Sequence, residues 1–143
     1  MPGRLTRLSL VDTARTTTAP RPRLKPRGLP PALAPHEVYV ATTPEDAEPY
    51  GRDLLGRHQV LVDDEHAEDF RAAYHGVLLR DVTLGYLDYE TAVTVQVDEL
   101  GVDQLVIVPA SGTSMISSDG GEVEASPVMA AVPRPGAAMQ VRC

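Results

Sequence analysis

Four histidines, one cysteine, a short acidic run and three of the five tyrosines are the residues of this chain best suited to chemistry. The histidines, His36, His58, His66 and His75, are scattered, and no two stand one residue apart. Cys143 is alone, so neither a disulfide framework nor a thiolate metal cluster can form. Ser111-Gly-Thr-Ser114 offers hydroxyls in a turn, but no Gly-x-Ser-x-Gly elbow raises one as a nucleophile. Asp63-Asp64-Glu65 has the charge for Ca²⁺ without the twelve-residue loop spacing, and reads as a solvated acidic turn. No glycine-rich phosphate loop occurs. The expectation is therefore of no catalytic residue, no metal site and no cofactor.

Tyr74, Tyr86 and Tyr89 invite a different chemistry. A small-molecule pocket is mostly apolar with a few placed polar groups, and a tyrosine supplies both a ring wall and a hydroxyl. These three are the candidates for an effector pocket. Ordinary core or cross-strand aromatics are the competing reading.

The elements that must hold them are mostly short strands. Val82–Tyr89, Ala92–Asp98, Gln104–Pro109, Ser114–Ser117, Gly121–Ala125, Val128–Val132 and Met139–Arg142 alternate with period two between turn residues. Asp119-Gly120-Gly121 and Pro133-Arg-Pro-Gly136 are turns. Upstream, Val38–Val40 and His58–Val62 read as strands. Thr43 can cap a helix that starts at Pro44, carries Glu45 and Asp46 in its first turn, and ends near Leu55 before Gly56. Pro49 falls inside that helix and threatens a break. Phe70–Leu79 alternates as a strand would, while Glu65–Tyr74 fits a short helix equally; strand from about Asp69 is favoured, because Arg80-Asp81 then turns it into Val82–Tyr89.

Charge divides the chain. Residues 1–35 hold seven Lys/Arg and one acid, while 36–143 hold six and nineteen, so the net −7 conceals a +6 leader on a −13 body. The leader is rich in Pro and Arg and is expected to be disordered. Its acid-poor composition is like that of an organellar transit peptide, but Pro20, Pro22, Pro26, Pro30 and Pro31 spoil an amphipathic helix. The acidic body argues against phosphate-backbone binding. No apolar run reaches about 18 residues, so no membrane helix is expected.

Taken in order, Asp81-Val-Thr-Leu-Gly-Tyr-Leu-Asp-Tyr89, Val108-Pro-Ala-Ser-Gly112, Asp119-Gly-Gly121 and Ser126-Pro-Val-Met-Ala-Ala-Val-Pro-Arg-Pro-Gly136 carry a resemblance. From about Thr42 to Arg142 the chain is similar to the N-terminal, effector-binding domain of AraC/XylS-type transcription regulators. The resemblance implies a mainly β fold: a cupin-like antiparallel β-barrel, left incomplete at Cys143, with one N-terminal helix and a disordered leader. With the charge division above, the chain reads as a leader, 1–35, and a sensing domain, 36–143. It departs from the family pattern in ending before the helix-turn-helix half, and in placing Arg80 where Gly is common.

The function implied is effector sensing and dimerisation for a transcription regulator, in the cytoplasm, with an unknown small-molecule effector. The chain would form a homodimer, or a heterodimer with a full-length regulator, and would not itself bind DNA specifically, since it offers no recognition helix. The leader would be either an arm of the kind such regulators use or translated upstream sequence. Two alternatives stand beside this. One is a free-standing cupin enzyme, an isomerase or dioxygenase, against which the missing His-x-His pair counts. The other is a dominant-negative partner of a full-length regulator.

Overall fold

A computed structural model describes residues 28–143 and, as backbone only, residues 6–13. Among the described residues, ten strands form two five-stranded sheets. In chain order they are β1 (Thr6–Thr13), β2 (Glu37–Ala41), β3 (His58–Leu61), β4 (Ala72–Leu79) and β5 (Val82–Tyr89), followed by β6 (Thr94–Val97), β7 (Gln104–Pro109), β8 (Ser114–Ser118), β9 (Gly121–Ala125) and β10 (Met139–Arg142). A helix, α1 (Pro44–Leu55), joins β2 to β3, and a 3₁₀ turn spans Asp64–Asp69. The first sheet runs β2-β4-β5-β1-β7 and the second β3-β6-β10-β8-β9.

The fold is mainly β and sandwich-like, of the cupin kind, but the sheets do not close into a barrel. Closure needs the edge strands to pair across the gap, and two of those edges are already engaged. At β3, the Glu48 carboxylate of α1 accepts from the amide of Val60 at 3.1 Å. At β7, Ile107 exchanges two backbone hydrogen bonds with Ala131, both 2.9 Å. An edge whose amides are occupied cannot add another strand there.

α1 follows its sequence signals. The Thr43 hydroxyl accepts from the Asp46 amide at 3.2 Å, and Gly56, at φ 80°, ends the helix by donating to the Arg52 carbonyl. Pro49 does not break it. The proline forfeits one hydrogen bond, and packing of Ala47 and Leu54 into the core holds the helix together.

Three expectations need correction. Val128–Val132 is not a strand: Ser126 and Met129 close a tight loop on each other, and Val128 is 95% exposed. Pro127 and Pro133 flank that apolar run and supply no amides for a ladder. The strand expected from Asp69 begins at Ala72, because the 3₁₀ turn takes Asp64–Asp69. Within the leader, Thr6–Thr13 is not structureless. It forms β1, parallel to both β5 and β7, while every other strand pairing is antiparallel. Thr-Arg-Leu-Ser-Leu-Val-Asp-Thr contains no Pro or Gly and has strand composition, a local signal that the proline count of the whole leader hides. Leu33 is also buried, so packing begins before residue 36. Residues 1–5 and 14–27 of the leader lie outside the described residues.

The β4–β5 hairpin turns at Arg80, whose φ is 54°. A non-glycine residue in this left-handed region carries roughly 1–2 kcal/mol of strain. Glycine relieves it but loses roughly 0.5–1 kcal/mol of unfolded-state entropy. Arg80→Gly is expected to stabilise the domain by about 0.5 kcal/mol, read as a higher urea midpoint at unchanged m-value. A lower midpoint would show that the arginine side chain makes good the strain elsewhere.

Candidate functional site

The inward faces of the two sheets share one core with α1. Within it lies a cavity of about 30 Å³. Leu87 and Tyr89 of β5 and Leu105 and Ile107 of β7 form its wall on the first sheet. Opposite stand Val95 of β6, Val141 of β10 and the adjoining Cys143, with Leu54 and Leu55 at the end of α1 on a further side. The lining surface is apolar throughout.

Local structure explains how each wall arrives there. Strand alternation sends Leu87 and Tyr89 to the same face of β5, and Leu105 and Ile107 to the same face of β7. Val141 pairs with Val95 across β10 and β6, setting the two side by side. Cys143 exchanges two backbone hydrogen bonds with Val93, which carry its chain past the end of the ladder. The end of α1 is pinned by its neighbours: the Gly101 amide donates to the Leu55 carbonyl at 3.3 Å. A Cβ on Gly56 would lie 3.0 Å from the Gly101 nitrogen, so this approach needs a residue without one.

The three tyrosines singled out in the sequence have different surroundings. Tyr89 lines the cavity and is almost wholly buried, with the Phe70 ring 6.2 Å away. Burial pushes its hydroxyl well above the ordinary tyrosine range, with lesser contributions from Tyr39, Cys143 and Glu48. Tyr74 lies on the same side of the first sheet but outside the cavity wall. Its ring rests over Gly76 and Gly85 and meets Tyr39 at 5.8 Å, which in turn stacks on Tyr50 at 4.3 Å. Burial, then Tyr74 and Tyr50, raise the Tyr39 hydroxyl above its usual range. Tyr86 points to the other face of β5, with its ring 6.4 Å from that of His75. The structure therefore brings one of the three to the cavity. It adds Leu54, Leu55 and Cys143, whose only sequence signal was the apolar end of a helix and an isolated thiol.

The Tyr74 seat can be tested. A Cβ on Gly85 would fall 2.8 Å from a ring carbon of Tyr74, and on Gly76 2.5 Å from its hydroxyl. Gly85→Ala must push the ring off the sheet, and is expected to destabilise by about 1–3 kcal/mol. Thermal unfolding measures it. An unchanged midpoint would mean that the ring yields freely.

The histidines do not assemble. His36 is exposed and His66 partly so, while His58 and His75 are buried. The His58 ring nitrogen Nδ1 lies 2.9 Å from the Gly56 carbonyl, and a Cβ on Gly51 would meet the ring at 2.5 Å, so His58 joins α1 to β3. His75 Nε2 is 3.8 Å from the Glu37 carboxylate. Among the described residues, no group of three His, Cys, Asp or Glu side chains could hold a metal ion.

A helix-flanked β-sandwich with an apolar interior is shared by many functions, so the fold alone does not separate them. A family model for the AraC-binding-like domain matches residues 51–143. The chain belongs to that family. Its members are regulatory ligand-binding domains of AraC-type regulators. The match begins at Gly51 in the middle of α1 and takes in every wall of the cavity. No curated protein and no solved structure matches the chain significantly. Among the described residues of this AraC-binding-like domain, no helix is long and apolar enough to cross a membrane.

Proposed function

We propose that this chain senses a small-molecule effector for an AraC-type transcription regulator in the cytoplasm, with residues 36–143 as the sensing domain and β1 of the leader packed into its first sheet. The effector occupies the space between the sheets, next to Tyr89. The observation that carries this reading is the apolar cavity, placed where both sheets and the end of α1 meet. A ligand there touches three elements at once, so its occupancy can bias how they sit against one another. The outward consequence is a change in pairing, either with a second copy or with a full-length regulator. Pairing with a full-length regulator would also let the chain act as a dominant-negative partner. DNA contact belongs to a helix-turn-helix partner domain rather than to these strands.

The test is a thermal-shift screen of small metabolites on the purified chain, followed by light scattering with and without each hit. The expected result is a ligand that raises the midpoint, perturbs methyl signals of the cavity residues and changes the oligomeric state. Turnover of a ligand, or ligands that bind only outside the sandwich, would count against it.

A further inference from the structure

We infer that the space between the sheets takes a compact, uncharged, apolar molecule of about one ring; this rests on the sensing role proposed above and names its ligand class. Leu54, Leu87, Val95, Leu105 and Val141 present hydrocarbon from four strands and the helix. Apart from the Tyr89 hydroxyl and the Cys143 thiol, the side chains that line the space are hydrocarbon.

Discrimination follows from desolvation. Each hydroxyl buried here without a partner costs roughly 1–3 kcal/mol, so a pentose is rejected several times over. A carboxylate is penalised more heavily, because no cation meets it. An apolar ring gains on entry, at roughly 25 cal/mol per Å² removed from water.

Size sets the second limit. The cavity, about 30 Å³, is far smaller than the dry cavity of about 150 Å³ that accepts benzene. A ring must therefore part the walls. The sheet walls are held by ladders of backbone hydrogen bonds. The α1 wall has no such ladder: it is held by the Glu48–Val60 bond, the Tyr50–Tyr39 stack, the Gly101–Leu55 bond and the His58 ring against Gly51 and the Gly56 carbonyl. The wall that gives is α1, and Tyr50, half exposed on the same helix, carries the displacement to the surface.

The experiment titrates the whole chain with toluene, benzoate and a pentose, reading methyl chemical shifts and the thermal midpoint. Toluene is expected to shift the Leu54, Leu87 and Leu105 methyls and to bind at least about ten-fold more tightly than benzoate. Leu55→Trp, at a half-buried position on the cavity wall, should weaken toluene by about ten-fold while leaving the circular dichroism unchanged. Leu105→Ala should bind toluene more tightly and regain part of its lost midpoint with it. If benzoate or the pentose shifts those methyls and toluene does not, the apolar class falls while the sensing role stands. If toluene perturbs only residues outside the sandwich, the interior site falls with it. Silence from all three probes overturns the apolar class and leaves the sensing role resting on family membership.

Discussion

Leu105→Ala is expected to destabilise this domain by about 3–5 kcal/mol, among the largest effects of any single truncation in the core. Leu105 is wholly buried on β7, and one side of it already borders empty space. A leucine truncated beside a cavity cannot be replaced by its neighbours, because Leu87, Ile107 and Val141 sit on strands fixed by their ladders. The new void joins the old one, and the loss grows with residual cavity volume at roughly 24 cal/mol per Å³. Urea unfolding of the variant measures it. A loss under about 1.5 kcal/mol would show that the sandwich collapses around the site. In a domain of ordinary stability, roughly 5–15 kcal/mol, the expected loss is a large share of the total.

The second large effect is alkaline. Tyr39 and Tyr89 are both held neutral in the folded chain, chiefly by burial. The sign follows from the direction of the shift. In the unfolded chain each hydroxyl releases its proton near pH 10, while in the folded chain it keeps it. Above that pH the folded state binds more protons than the unfolded one, so stability falls as pH rises. The contribution is complete below the unfolded value and is lost as pH climbs toward the raised folded values. Each tyrosine lowers stability by about 1.4 kcal/mol per pH unit in that window, and the two together by about twice that. Denaturant midpoints between pH 8 and 11 should stay level and then drop. Tyr39→Phe should reduce the slope by about half, since a phenylalanine has no proton to lose. A slope above pH 10 that is unchanged in the variant would overturn the assignment of that loss to Tyr39.

The first of these effects bears on the sensing proposal. The space beside Leu105 leaves the interior under-packed where a ligand can repay the deficit. The side chains around that space are almost all hydrocarbon, so nothing there pairs with a charge. An apolar ligand finds both conditions favourable, and an anionic one finds neither.

The sequence by itself determined the local elements wherever chain chemistry acts within a few residues. Thr43, Pro44 and Gly56 mark α1 to the residue, because caps and glycine conformations are local. The hairpin at Asp119–Gly121 and the strand bounds of β7 and β9 follow from turn residues and alternation in the same way. Mainly β class and family membership were legible from the order and spacing of such pieces.

The tertiary structure alone decided how those pieces face one another. Alternation separated Tyr86 from Leu87 and Tyr89, but period two names two faces without saying which one meets the second sheet. Only packing showed that Tyr89 borders the cavity, that Tyr74 lies over Gly85, and that Tyr86 turns to the other side. Val128–Val132 has an apolar pattern fit for a strand, but its flanking prolines and the bridge to β7 make it a loop that covers an edge. β1 was hidden because a parallel strand between β5 and β7 is specified by partners some seventy to a hundred residues away. The cavity is a long-range product as well, formed where residues from α1, four strands and the end of the chain fail to fill the space between them.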